Sequence, residues 1–230
     1  MSARPVAVVT GASRGIGRAT ALRLAERYDI VALARTKASL DSLVAEITSR
    51  RGKCRPVPVD LANDAAVAKA LHGIEADVLI NNAGVITLKP FLELTPAEWH
   101  QMIDVNLNAL YSVTRALLPG MISRRRGFIV VMGSLAGRNP FAGGTAYTAT
   151  KHGVIGFAES LMLEVREANV RVTTIMPGSV DTRALQDPGD RSWMLTGAEV
   201  ADAVWFAVTQ PENALISRIE MRPAAPKKKK

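Results

Sequence analysis

With one cysteine, Cys54, in 230 residues, the chain cannot form an internal disulfide, and a small disulfide-stapled scaffold is excluded. No apolar run approaches the roughly 18 residues that a membrane-crossing helix needs. Nor does Met1-Ser2-Ala3-Arg4-Pro5 open an apolar region long enough for a signal peptide. The expectation is a cytoplasmic protein without a membrane partner. Aromatic residues are scarce, with 3 Trp, 3 Tyr and 5 Phe. Ala, Val, Ile and Leu must therefore fill the core, a palette suited to helices packed on a buried parallel sheet rather than to a β-sandwich. His72, His100 and His152 are scattered and Cys54 stands alone, so nothing in the sequence suggests a metal site.

What is present is ordinary for a globular domain: 48% hydrophobic and 22% charged residues, which excludes a disordered or collagen-like chain. The length fits one domain able to bury roughly 70% of its unfolded surface. Net charge is +8, half of it from the four lysines at 227–230. The body is therefore only weakly basic, which is poor support for a nucleic-acid partner. The reading is one domain over 1–222 and a basic, disordered tail over 223–230, with a tether to an anionic surface as the tail's alternative role.

Short β-rich apolar runs at 6–10, 30–34, 55–59, 78–80, 128–132, 172–175 and 215–219 alternate with helical patterns at 16–27, 40–50, 64–71, 96–123, 146–168 and 198–208. Thr95-Pro96-Ala97-Glu98 offers a hydroxyl acceptor, Pro at the first helical position and Glu in the first turn. Thr196-Gly197-Ala198-Glu199 repeats the Thr-to-Glu spacing. The alternation, with strands too apolar to have a wet face, predicts an α/β fold with a doubly wound parallel sheet and helices on both faces.

The first strand runs into Thr10-Gly11-Ala12-Ser13-Arg14-Gly15-Ile16-Gly17, which opens the first helix. A glycine-rich strand-to-helix turn lets the backbone approach a pyrophosphate and aims free helix N–H groups at it; tight packing of the turn is the alternative. After the second strand comes Arg35, where a site for NAD would place an acid on the ribose 2′-hydroxyl. Arg35 and Arg14 instead suit the 2′-phosphate of NADP(H), unless they are ordinary surface arginines.

Tyr147 and Lys151 stand four apart in a helical stretch and so share one face. A neighbouring ammonium lowers the pKa of a phenol, which makes Tyr147 a usable acid–base, and Lys151 can also reach a ribose hydroxyl. Ser134 lies just past the fifth strand, Asn81-Asn82-Ala83-Gly84 follows the fourth and Pro177-Gly178 the sixth. With the glycine loop, these motifs all fall at carboxyl ends of strands, where open α/β sheets bind ligands.

The order of these motifs resembles the short-chain dehydrogenase/reductase family over essentially all of residues 5–222: the loop at 10–17, Asp60-Leu61, Asn81 to Gly84, Asn106, Ser134, Tyr147 with Lys151, and Pro177-Gly178-x-Val180-x-Thr182. The resemblance implies a single-domain Rossmann fold of about seven strands and an NADP(H)-dependent oxidoreductase acting on a carbonyl or secondary alcohol. Catalysis would rest on Asn106, Ser134, Tyr147 and Lys151. Tyr147 would exchange the proton, Ser134 polarise the substrate oxygen, Lys151 bind ribose and tune Tyr147, and Asn106 hold a water linking Lys151 to solvent. Cofactor contacts would come from Gly11, Ser13, Arg14, Gly15, Ile16, Gly17, Arg35, Asp60, Leu61, Asn82, Ala83, Gly84, Tyr147, Lys151, Pro177, Gly178, Val180 and Thr182. Asn106 as a mere helix cap or kink, and Asp60 as a plain N-cap acid, are the structural alternatives. His152 points away from Lys151 on the helix, and Arg124-Arg125-Arg126 reads as a solvated helix end that offsets the dipole.

The stretch 183–198 is short for the family's substrate lid and contains Pro188-Gly189 and then Trp193-Met194, the expected apolar wall. The early end of the chain resembles branches acting on small 3-oxo or 3-hydroxy acids. Met102, Leu107, Leu110, Leu117, Phe157, Leu161 and Leu163 exceed what one sheet face should need, and predict a homodimer or homotetramer through paired helices, with a thick monomer core as the alternative. A non-catalytic NADPH sensor would be expected to show a broken Ser/Tyr/Lys set.

Overall fold

The computed structural model describes residues 4–182 and 189–225. Its main sheet has seven parallel strands in the order β3-β2-β1-β4-β5-β6-β9. The strands are β1 (Val6–Thr10), β2 (Asp29–Ala34), β3 (Cys54–Pro58), β4 (Val78–Asn81), β5 (Gly127–Met132), β6 (Val170–Pro177) and β9 (Arg218–Met221). Two short strands, β7 (Val180–Asp181) and β8 (Leu195–Thr196), pair in parallel beside it. The helices are α1 (Gly15–Leu24), α2 (Ala38–Ser49), α3 (Asp64–Leu71), α4 (Pro96–Ile103), α5 (Ala109–Ser123), α6 (Thr145–Val165) and α7 (Gly197–Val208).

Alternation along the strands divides the core in two. Val9, Ile30, Ile80, Val130 and Ile175 meet α1, α2 and α7 on one face through Leu24, Leu40, Leu43, Val200 and Val204. Val8, Val31, Leu79, Ile129 and Val172 meet α3, α5 and α6 on the other through Val67, Leu117, Met121, Val154 and Leu161. Central strands are buried on both faces, which is why they read as unbroken apolar runs. Both anticipated capping boxes form, at Thr95–Glu98 and Thr196–Glu199. The Lys89 ammonium and the Thr95 backbone N–H hold the Glu98 carboxyl down at about 2.

Four expectations change. The helical pattern over 96–123 is broken by a π turn at Asp104–Asn108, where the Ala109 N–H reaches back to the Asp104 carbonyl. The last strand starts at Arg218 rather than 215: Arg171 gathers the carbonyls of Gln210, Pro211 and Ala214, so the chain before it turns instead of extending. The arginine run is an anchor, not merely solvated. Arg124 donates to the Ala76 carbonyl at 2.7 Å, Arg125 to Glu167 O at 2.9 Å, and Arg126 pairs with Asp77 at 2.7 Å. Finally, most of the apolar excess on the long helices is absorbed within the chain: Met102, Leu110, Leu117 and Leu161 are buried, Leu107 and Phe157 half-buried, and Leu163 alone of that group is 61% exposed. The tail at 226–230 and the lid segment 183–188 lie outside the described residues.

At the β3 edge, the Val59 N–H bonds inward to Ala34 O at 2.8 Å. By strand parity the outward donors belong to positions 54, 56 and 58, and two of these are Pro56 and Pro58.

Asp77 joins three strand starts. Its Oδ2 accepts from Val6 N at 2.8 Å, its backbone bonds both Val6 O and Phe128 N, and its Oδ1 holds Arg126. Asp77→Ala should therefore cost about 1–3 kcal/mol of stability, read as a lower urea midpoint; a midpoint equal to that of the parent protein contradicts this anchoring.

Candidate active site

The order of strands reverses its winding between β1 and β4, and the loops after these two strands open a crevice at the carboxyl edge. Thr10, the last residue of β1, closes the back of this crevice. Its buried hydroxyl donates to Ile80 O at 3.2 Å and accepts from the N–H groups of Asn82 and Ala83 at 2.9 and 3.0 Å. The Asn82 amide returns a bond to the Thr10 carbonyl at 2.9 Å, and Asn81 donates to Thr114 on α5 at 3.0 Å. The sequence motif marks Thr10 only as the start of the glycine loop; the signal for its role is a hydroxyl at the end of an otherwise aliphatic strand.

Gly11 and Gly15 have φ of +64° and +55°, and a Cβ on Gly17 would overlap the Gly11 carbonyl and the Asn82 amide. These glycines are needed for the backbone path itself, so the packing explanation is part of the truth. The N-terminus of α1 nevertheless carries no side-chain cap and no acid in its first turn. Among the described residues no partner is seen for its first N–H groups, at Gly15, Ile16 and Gly17, and the charge that such groups suit is negative. Ala12 N bonds Leu33 O at 3.0 Å, which places Arg14 and Arg35, each two residues on, at the same edge. Both arginines are exposed, and neither joins an ion pair among the described residues. Ser13 is half-buried in the same loop.

Asp60 accepts from the N–H of Ala62 at 3.1 Å in a tight turn, and the N-cap of α3 is Asn63, so the N-cap reading of Asp60 is corrected. Leu61 is buried and faces inward. Thr182 lies against Gly15, close enough that a Cβ there would stand 3.1 Å away, which brings the segment after β6 onto the glycine loop. Pro177 is buried at the end of β6, Gly178 N bonds Met221 O at 2.8 Å, and Val180 stands half-buried in β7. Trp193 and Met194, in the described part of the 183–198 stretch, are half-buried.

Ser134, Tyr147 and Lys151 converge. The Ser134 hydroxyl accepts from Ala136 N at 3.1 Å and stands near enough to the Tyr147 phenol to favour its ionised form. The Lys151 ammonium lies 5.8 Å from the Tyr147 ring centre and donates to the Met132 carbonyl at 2.8 Å. Burial pushes the phenol above its ordinary value, and the Ser134 side chain draws it partway back. The depression of Tyr147 expected from Lys151 is not found: burial sets the direction, opposed by Ser134. Lys151, only 6% exposed, is itself pushed down to about 8 by burial. His152 is exposed and bonds its own helix at Thr148 O, as expected of a structural residue.

Asn106 sits in the π turn, buried. Its Oδ1 accepts from Val85 N at 2.8 Å, while its amide donates to Val85 O and to Thr150 Oγ1, each at 3.0 Å. Both donors of the carboxamide are used, so the water-holding role can draw only on its remaining oxygen lone pair or on backbone. The helix-cap reading does not hold either, since the side chain ties the loop after β4 to α6. A cavity of about 10 Å³, close to the needs of one water, is lined by Thr10, Asn81, Asn106 and Lys151. Gly84 lies beside it: a Cβ there would stand 3.3 Å from Asn106 Oδ1 and 3.9 Å from Lys151 Nζ.

Comparison with known proteins adds an independent line. A family model described as short chain dehydrogenase matches residues 5–192. The NADP-dependent 3-hydroxy acid dehydrogenase YdfG of Salmonella typhi is 34% identical over 237 residues, covering 95% of this chain and 94% of the relative. The 3-oxoacyl-[acyl-carrier-protein] reductase FabG of Vibrio harveyi is 36% identical over 227 residues, with 92% of each covered. A metagenomic short-chain oxidoreductase crystallised with NADP is 38% identical and superposes with a TM-score of 0.86 over 96% of this chain and 98% of its own.

The buried cation generates a prediction that needs no substrate. Lys151 has a folded value near 8 against 10.5 when exposed, so the folded state binds fewer protons between these values and stability rises with pH across that window. Without nucleotide, Lys151→Met should melt at a higher temperature than the parent protein at pH 7, and the gain should fade between pH 8 and 10.5. An unchanged or lower melting temperature at pH 7 contradicts a strained ammonium.

Proposed function

The chain belongs to the short chain dehydrogenase family, and from that premise we propose that it transfers a hydride between NADP(H) and a carbonyl or secondary alcohol, with Tyr147 as the acid–base. The observation that carries this is the convergence of Ser134, Tyr147 and Lys151 beside the crevice opened by the glycine loop. The cofactor fits the residues present: a loop with no room for a Cβ at Gly17, an uncapped helix start, and two exposed arginines at the same edge. Gly11, Ser13, Gly15, Ile16 and Gly17 would hold its diphosphate, and Arg14 and Arg35 its 2′-phosphate. Asp60, Leu61 and Asn82 to Gly84 would flank the adenosine side; Pro177, Gly178, Val180 and Thr182 would flank the nicotinamide. NADPH, when bound, supplies the hydride.

The protein's own share is proton handling and orientation. In the reductive direction a phenol kept protonated by burial is the right donor for the carbonyl oxygen, and Ser134 offers that oxygen a second hydrogen bond. Lys151 holds its charge close to the phenol and would donate to the ribose of the bound cofactor. A water in the cavity lined by Asn106 and Lys151 would link the ammonium to the outside. Oxidation reverses each transfer. The names of YdfG and FabG support 3-hydroxy acids and 3-oxoacyl thioesters as the substrate classes to try first. The intact Ser/Tyr/Lys set argues against a non-catalytic sensor.

Association into a dimer or tetramer is part of this reading, supported by the exposed Tyr111 and Ile122 on α5 and Leu163 on α6. A cytoplasmic setting accords with a single unpaired thiol.

NADPH consumption should be followed against β-ketoacyl thioesters, β-keto acids, diketones and aldehydes. Tyr147→Phe should lower turnover by about 10²–10⁴-fold while NADPH binding changes little; residual activity within tenfold of the parent protein would mean that another acid is at work. Arg35→Asp should weaken NADPH binding by about tenfold or more and shift preference towards NADH. An unchanged cofactor preference would overturn the 2′-phosphate assignment.

A further inference from the structure

Between Tyr147 and Lys151 lies a third polar side chain that the proposed proton transfer leaves without a role. Thr150 is completely buried, at 0% exposure. Its Oγ1 accepts from the Asn106 amide at 3.0 Å and donates to the Tyr147 carbonyl at 2.8 Å. A threonine hydroxyl has a single hydrogen, so donation to Tyr147 fixes the direction of the bond from Asn106. The Asn106 carboxamide in turn exchanges two hydrogen bonds with the backbone of Val85, much as a neighbouring strand would. An unbroken polar chain therefore runs from the loop after β4, through the π turn, to the turn of α6 that carries the phenol.

A hydroxyl in the interior of a helix is a weak helix former, and burying one is unfavourable unless it is bonded. Valine would fill the same space on an otherwise aliphatic face, where Val154 and Ala158 pack against the sheet. What valine could not supply is the acceptor for Asn106. Without it a buried amide N–H is left unmet, and the amide has reason to rotate away from Val85 as well. Lys151, the next residue, is held independently by the Met132 carbonyl. The turn of α6 is thus fixed to β5 on one side of Thr150 and to Asn106 on the other.

We propose that Thr150 is a positioning residue, whose hydroxyl fixes the turn bearing Tyr147 and Lys151 against Asn106 and the loop at 82–85. The role rests on the proton transfer proposed above. It acts through the placement of the phenol, since Thr150 faces the protein interior and not the crevice.

Thr150→Val, Thr150→Ala and Thr150→Ser should be compared with the parent protein in kcat, KM, NADPH affinity by fluorescence, and melting temperature. A misplaced acid lowers the rate of the chemical step more than it weakens binding. Val and Ala should therefore lose about tenfold or more in kcat, with KM and NADPH affinity within about twofold, and Ser should recover most of the rate. Valine with kcat within about twofold of the parent, or serine as impaired as valine, overturns the proposal. So does a drop in melting temperature with kcat unchanged at a permissive temperature, which is what simple packing predicts. If the valine protein does not fold, the alanine–serine pair makes the same comparison. Tyr147→Phe, run alongside, separates the two readings. If it is inactive while Thr150→Val is unimpaired, only the positioning role fails; if it stays active, the proton-transfer reading fails first.

Discussion

All seven strands of the main sheet point the same way, and both faces are covered by helices. Each connection must then cross over a face, and each leaves from the same edge of the sheet. Residues as distant in sequence as Gly11, Gly84, Ser134 and Gly178 come to one rim for this reason. The reversal of winding between β1 and β4 parts two of those connections and leaves the crevice. Thr10 then sets how far they part, because one hydroxyl bonds the end of β4 and the two N–H groups that follow it.

Within that frame, the chemistry proposed for the site conflicts with the comfort of its groups. The Lys151 ammonium is buried deeply enough to have its proton loosened, and the Tyr147 phenol deeply enough to have its proton tightened. Each shift destabilises the charged form that the other group would welcome. Ser134 and the Met132 carbonyl offset part of the cost. The remainder is carried by α6, whose other buried residues pack on β5 and β6. Such strain is typical of residues held for reactivity rather than for stability.

Where side-chain period and local bonding decide the structure, the sequence is readable. The alternation of Val8 and Val9 between two cores, the capping boxes at Thr95 and Thr196, and the gathering of motifs at strand ends all follow from short-range rules. Features that depend on a distant partner are not readable in this way. The π turn has no marker in Asp104–Asn108, because its side-chain partners, Val85 and Thr150, lie 21 and 44 residues away from Asn106. The late start of β9 is decided by the Arg171 guanidinium, from another strand. The share of the apolar surplus on the long helices that is buried within the chain is not legible either, because sequence cannot tell a residue packed behind the sheet from one facing water. Only Leu163 of the group is left outside. The balance between burial and charge at Tyr147 likewise needs the depth of the site, which no spacing encodes.

The two prolines on the outer rim of β3 bear on what happens to the protein when it is crowded. A bare strand edge is a template on which a foreign strand, or another copy partly unfolded, can add and grow. Here the rim still offers carbonyl oxygens, but at 56 and 58 there is no hydrogen to give, so an incoming strand finds only part of a ladder. A newly made chain whose helices have not yet docked keeps that protection, since it is written in covalent structure and not in tertiary contact. Replacing Pro56 or Pro58 by a residue with a free N–H would leave the folded protein much as it is, and its losses would appear in the yield of soluble chain during synthesis.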